Sequence, residues 1–120
     1  MANNPKYNKV KGTKFESALV ELFRTLGHTA ERLRLAGAKD EGDIAVVIAG
    51  KTYILEAKNV KKMDLPTFWK EAEVEAKNYA KARKLKQEPP VYVIVKRRSA
   101  SIEKSWVIYP LDKWLEEKSG

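Results

Sequence analysis

Two short apolar runs in the middle of the chain carry charges where a buried strand would not. Asp43 precedes Ile44-Ala45-Val46-Val47-Ile48-Ala49, and Glu56 and Lys58 interrupt Tyr53-Ile54-Leu55-Glu56-Ala57-Lys58. A carboxylate among apolar neighbours is costly unless it is paired or holds a cation. The Val- and Ile-rich runs read as strands, and Gly50-Lys51 between them reads as a hairpin turn. A turn centred there sets Asp43 opposite Lys58 and Ala45 opposite Glu56. Facing residues of an antiparallel pair point to one side of the sheet, so Asp43, Glu56 and Lys58 share a face, with Asp43 and Glu56 diagonal neighbours about 7–8 Å apart at Cα. A slip of one residue would separate them. Two carboxylates, a backbone carbonyl and waters make a hard oxygen set suited to Mg²⁺, with Mn²⁺ as a substitute. A cation there polarises a phosphate and lowers the pKa of water, while a neighbouring lysine orients that water or stabilises the developing charge. The same three residues also fit an ion pair on the solvated face of an antiparallel sheet.

The rest of the chain supplies elements to hold such a hairpin. Thr13-Lys14-Phe15-Glu16 has the capping-box pattern that opens a helix, followed by Leu19, Leu22 and Leu26 at helical intervals and by Gly27 as a left-handed cap. Glu16 is then the third residue of the cap, a role sufficient to account for it. Residues 1–11 read as a basic N-terminal arm, and residues 12–120 as a single domain. Residues 29–35 read as a strand and residues 36–42 as a loop. Asp64 caps a long helix reaching about Leu85, with Pro66 in its first turn, and Ala72, Ala76 and Ala80 suit close packing against a sheet. Two more strands, 91–95 and 106–109, precede a short helix opened by Pro110. This order predicts an α/β domain with a mixed central sheet flanked by helices.

Composition narrows the partners. The 120 residues carry a formal net charge of +8, and 33% of them are charged. Such a basic domain suits a polyanion, most often nucleic acid. With no cysteine, zinc ribbons, disulfide frameworks and thiol nucleophiles are excluded. The lone His28 follows a helix end and receives no function. No apolar run is long enough to span a bilayer, and the N-terminus lacks the pattern of a secretion signal, so an intracellular, cytoplasmic protein is expected. The candidate phosphate contacts are Lys9, Lys11, Lys14, Arg32, Arg34, Lys39, Lys61 and Lys62. Lys96-Arg97-Arg98 forms a further basic group at a strand end. Trp69, Trp106 and Trp114 read as core or interface residues.

Gly42-Asp43-Ile44 followed by Glu56-Ala57-Lys58 resembles the motif of the PD-(D/E)xK nuclease superfamily. Lys11-Gly12-Thr13-Lys14-Phe15-Glu16, Arg34-Leu35-Ala36-Gly37-Ala38-Lys39 and Tyr109-Pro110-Leu111 resemble successive segments of archaeal-type Holliday junction resolvases, covering about residues 11–115 in order. Gly42 stands where the superfamily name has proline. Ala36 stands where many resolvases have serine, leaving no hydroxyl there. The resemblance implies a restriction-endonuclease-like core, a homodimer and a Mg²⁺-dependent endonuclease that cuts four-way DNA junctions. It implies that Asp43 and Glu56 hold the metal together with the Ala57 carbonyl, that Lys58 positions the attacking water, and that Glu16 completes the site, through a water or a second ion. The competing readings are a PD-(D/E)xK nuclease of flap, end or restriction type, and a non-catalytic DNA-binding module of the same fold.

Overall fold

The computed structural model of the chain describes residues 5–33 and 43–120, with side chains from residue 11 onward. Lys9's side chain, Arg34, Ala36 and Lys39 lie outside the described residues. The elements are α1 (Pro5–Thr25), β1 (Thr29–Arg32), β2 (Ile44–Ile48), β3 (Lys51–Lys58), α2 (Leu65–Ala82), β4 (Val91–Val95), a 3-10 turn (Ile102–Lys104), β5 (Trp106–Ile108) and α3 (Leu111–Ser119).

The strands form one sheet in the order β1-β2-β3-β4-β5. β3 and β4 are parallel, and the remaining neighbours are antiparallel. A parallel pair needs a long crossover, which α2 supplies. The α/β class and the mixed, helix-flanked sheet expected from the sequence are the architecture observed.

The first helix differs from expectation at its start. It opens at Pro5, a residue suited to a first helical turn, and not at Thr13. Residues 5–11, read as an arm, are its opening turns; lysines are good helix formers, and one interior Gly12 does not break them. Glu16 therefore sits in mid-helix, and capping no longer accounts for it. The C-terminal end behaves as expected. Gly27 has φ +92°, His28 N–H donates to the Phe23 carbonyl at 2.9 Å and Gly27 N–H to that of Arg24 at 3.0 Å, a Schellman closure.

Alternate strand residues face two different helices. Phe15, Leu19 and Val20 of α1 pack with Ala30, Ile44, Val46, Leu55 and Ile94. On the other face, Phe68 and Ala72 of α2 pack with Val93 and Val95, and Tyr79 with Ala45 and Ile54. Ala72 and Ala76 are almost fully buried, so the small-residue stripe lets α2 lie close to the strands. Asp64 caps α2, its Oδ1 accepting from Thr67 N–H.

Candidate active site

The hairpin that carries the charged residues turns one position earlier than the sequence suggested. Ala49 and Gly50 occupy the turn with φ of 51° and 78°, the positive values of a type I′ connection. Ile48 therefore pairs with Lys51 and Ile44 with Leu55. The paired residues end there, with Asp43 N–H donating to the Leu55 carbonyl at 3.1 Å, so Asp43 is held beside Leu55 and not opposite Lys58. The register differs from expectation by an even number of residues, so Glu56 and Lys58 keep their face: Ala45, Ile54, Val93 and Val95 belong to the α2 side, Glu56 and Lys58 alternate onto it with them, and the Asp43 side chain meets Glu56 there. Asp43 Oδ2 accepts the Ala57 N–H at 2.7 Å, which ties the aspartate to the strand between the other two residues.

Glu56 is the most perturbed group of the site. It is 4% exposed. Burial first, then hydrogen bonding and repulsion from Asp43 and Glu75, push its carboxyl from an ordinary 4.5 up to about 12. Two buried acidic side chains, Glu56 and Glu75, and the half-buried Asp43 thus converge, and Glu56 without a cation holds its proton at neutral pH. Lys58 Nζ lies 3.9 Å from Glu56 Oε2 and 3.2 Å from Glu71 Oε2, and 5.0 Å from the centre of the Phe68 ring. Burial works to lower the lysine, but the carboxylates of Glu56, Glu71 and Asp43 outweigh it and hold the amine above its ordinary value.

Two of these residues were missed in the sequence. Glu71 and Glu75 lie one turn apart on α2, and carboxylate oxygens of Glu56, Glu71 and Glu75 come within 4.8 Å of one another, near enough to hold a cation. This acidic group shares only Glu56 with the expected ligand set. Asp43 belongs to the same cluster through its contact with Glu56. The signal was present in the sequence: Glu75 falls on the same helical stripe as Ala72, Ala76 and Tyr79, where a charge needs a reason.

Glu16 lies on α1, which covers the opposite face, and approaches Arg32 Nη2 at 3.4 Å. Arg32 is exposed and registers with Ile44, next to Asp43. One end of the sheet therefore gathers the end of β1 with Arg32, the start of β2 with Asp43, and the end of β3 with Lys58. Lys61 and Lys62 are exposed in the segment that leaves β3. Lys14 is exposed on α1 and Lys11 half-buried. β4 ends there too: Val95 pairs with Lys58, and Lys96 N–H donates to the Lys58 carbonyl at 2.9 Å. The Lys96-Arg97-Arg98 group therefore emerges beside the acidic cluster, with the Arg97 guanidinium 4.8 Å from the Trp106 ring.

No family model and no curated protein sequence matches the chain. Among solved structures, it is similar to that of Archaeoglobus fulgidus Hjc, a Holliday junction resolvase from an archaeal hyperthermophile. The TM-score is 0.51 and the identity 22%, over 76% of this chain and 68% of that one. At this identity the likeness concerns the fold: an α/β domain of the kind found in that resolvase. No helix among the described residues is long and apolar enough to cross a membrane.

Proposed function

We propose that the chain is a metal-dependent, structure-selective DNA endonuclease of the PD-(D/E)xK type, acting on four-way junctions. The observation that carries this reading is the convergence of Asp43, Glu56 and Lys58 on one face at one end of a resolvase-like sheet. The donor set is all oxygen, which suits Mg²⁺ or Mn²⁺. Burial keeps a proton on Glu56, helped by hydrogen bonding and repulsion from Asp43 and Glu75, and that repulsion is of the kind a divalent cation relieves. Asp43 and Glu56 hold the ion in this reading, with the Ala57 carbonyl, and Glu16 completes the site from α1. Such an ion supplies Lewis-acid stabilisation of the scissile phosphate. Lys58 presents a fixed positive charge to the attacking water and to the phosphate oxygens.

The surface around the site suits the substrate. Lys9, Lys11, Lys14, Arg32, Arg34, Lys39, Lys61 and Lys62 are the proposed phosphate contacts, and the placement of Lys96, Arg97 and Arg98 adds a group on the far side of Lys58. Contacts of this kind read backbone shape and not bases. Cutting two strands of a junction together calls for two sites related by a two-fold axis, which a homodimer provides. Trp106 and Val107 of β5 and Leu111, Trp114 and Leu115 of α3 are exposed and suit the contact between subunits. Tyr79 is buried in the core and Trp69 is half-buried, so neither adds to that exposed surface. The test is cleavage of a mobile four-way junction beside duplex, flap and single-stranded DNA of matched sequence, with Mg²⁺ and with EDTA. Preferential, metal-dependent junction cleavage that Asp43→Asn abolishes without loss of fold supports the reading. Equal cutting of duplex points to a general nuclease of this fold. Binding with no cleavage points to a non-catalytic module.

A further inference from the structure

A lysine ammonium on four methylenes does not hold its own position. With no other partner, Lys58 would be free to close on Glu56, 3.9 Å away, and sit where the nuclease reading requires a divalent ion. The nearer partner is Glu71, whose Oε2 accepts from Lys58 Nζ at 3.2 Å. The ring of Phe68, one helical turn earlier on α2, lies under the same ammonium at 5.0 Å. Phe68 is buried against β4 and anchors this part of the helix, so Glu71 presents its carboxylate from a fixed scaffold. Neither residue belongs to the hairpin that carries Asp43, Glu56 and Lys58.

We propose that Glu71 is a positioning residue: it draws the Lys58 ammonium away from the Asp43–Glu56 pair and holds it beside the cation's place. This proposal rests on the nuclease reading of the site. Stability alone does not account for the contact. The Glu71 side chain is 43% exposed, and an ion pair with so exposed a partner adds little to folding free energy. Its effect lies in geometry, because a lysine displaced by a small distance no longer meets water and phosphate together. The proximity of Glu71 to Glu56 and Glu75 offers a different role, that of a metal ligand, and the two roles differ in measurable consequences.

The experiment compares wild type, Glu71→Ala, Glu71→Gln and Glu56→Gln. It measures thermal unfolding, Mn²⁺ affinity without DNA, junction affinity, and the single-turnover rate of junction cleavage at saturating Mn²⁺. Glu71→Ala is expected to slow cleavage about tenfold or more, the usual effect of losing a residue that orients a metal-site group. Unfolding temperature, Mn²⁺ affinity and junction affinity should not move. Glu71→Gln, whose amide oxygen still accepts from Nζ, should recover part of the rate. Carbon-13 signals of the Lys58 ε-methylene should shift toward those of free lysine in Glu71→Ala. An unchanged rate in Glu71→Ala, or a loss of Mn²⁺ affinity matching that of Glu56→Gln, overturns the positioning role. If wild type cuts no DNA, the nuclease reading falls and the catalytic meaning of Glu71 falls with it. If wild type cuts and Glu71→Ala cuts equally fast, only the present inference fails.

Discussion

Replacing Glu56 by glutamine should stabilise the metal-free protein at neutral pH while abolishing its activity. Glu56 is buried beside Asp43 and Glu75, and its carboxyl lies near 12 against an ordinary 4.5. A group whose folded value is raised contributes its full stability below the unfolded value, here about pH 4.5, and loses it steadily as pH climbs toward the folded one. Each pH unit in that interval costs about 1.4 kcal/mol, so keeping the proton on Glu56 at pH 7 costs the fold about 3 kcal/mol. Glutamine is nearly isosteric and donates an N–H where the protonated acid donates its O–H, so it keeps the contact and removes the titration. Urea unfolding in EDTA from pH 5 to pH 9 should therefore find Glu56→Gln more stable than wild type, by a margin that widens with pH. Mg²⁺ at a hundred times its Kd should close most of that gap, because it adds about 2.7 kcal/mol to a protein that binds it and nothing to one that does not. A stability difference that is flat with pH, or a wild type that Mg²⁺ fails to stabilise, would refute the crowding of carboxylates as the property that prepares this site for a cation.

Other outcomes follow from the turn, the charge and the exposed apolar residues. Ala49 holds a φ of 51°, a left-handed conformation that costs a residue with a side chain roughly 1–2 kcal/mol and that asparagine tolerates well. Ala49→Asn should raise the urea midpoint by about 1 kcal/mol of stability with no change in m-value. Junction affinity should fall steeply with salt, and Arg32→Ala or Lys62→Ala should each reduce the log–log slope by about one unit, read from fluorescence anisotropy over a salt series. Light scattering should give the mass of a dimer, and Trp114→Glu, placing a charge among the exposed apolar residues of α3, should give that of a monomer with an unchanged circular dichroism spectrum.

The helix-and-strand order was legible because each element has its own period and punctuation: Asp64 and Pro66 at the start of α2, Gly27 after α1, Pro110 before α3. The common face of Asp43, Glu56 and Lys58 was legible too, since a hairpin permits only two choices of face. The turn itself was misplaced. Sequence favours Gly50-Lys51, whereas the chain puts an alanine in a left-handed conformation, a cost that residue type does not advertise. Only because the misplacement shifts the register by two did the site survive it. The α2 contribution was not read because nothing local joins Glu71 to Lys58. Their meeting depends on the crossover from β3 to β4, a long-range packing event, although a glutamate amid the alanines of a buried stripe was a usable clue. The long first helix was missed because the capping pattern at Thr13 is a strong local signal that the preceding lysine-rich turns override.

The division of the site between a hairpin and a crossover helix has a kinetic consequence. Asp43 and Glu56 are close neighbours in the chain, and their pairing closes with a two-residue turn, one of the faster steps open to a folding polypeptide. At that stage both carboxylates remain hydrated and repel one another only weakly. Water is removed from Glu56 when α2 docks and β4 adds beside β3, contacts of greater sequence separation that form more slowly. Proton uptake thus belongs to the docking of α2 and not to the formation of the hairpin. Alkaline conditions act on that later event, so the α2 segment is the first part of the protein that rising pH would loosen.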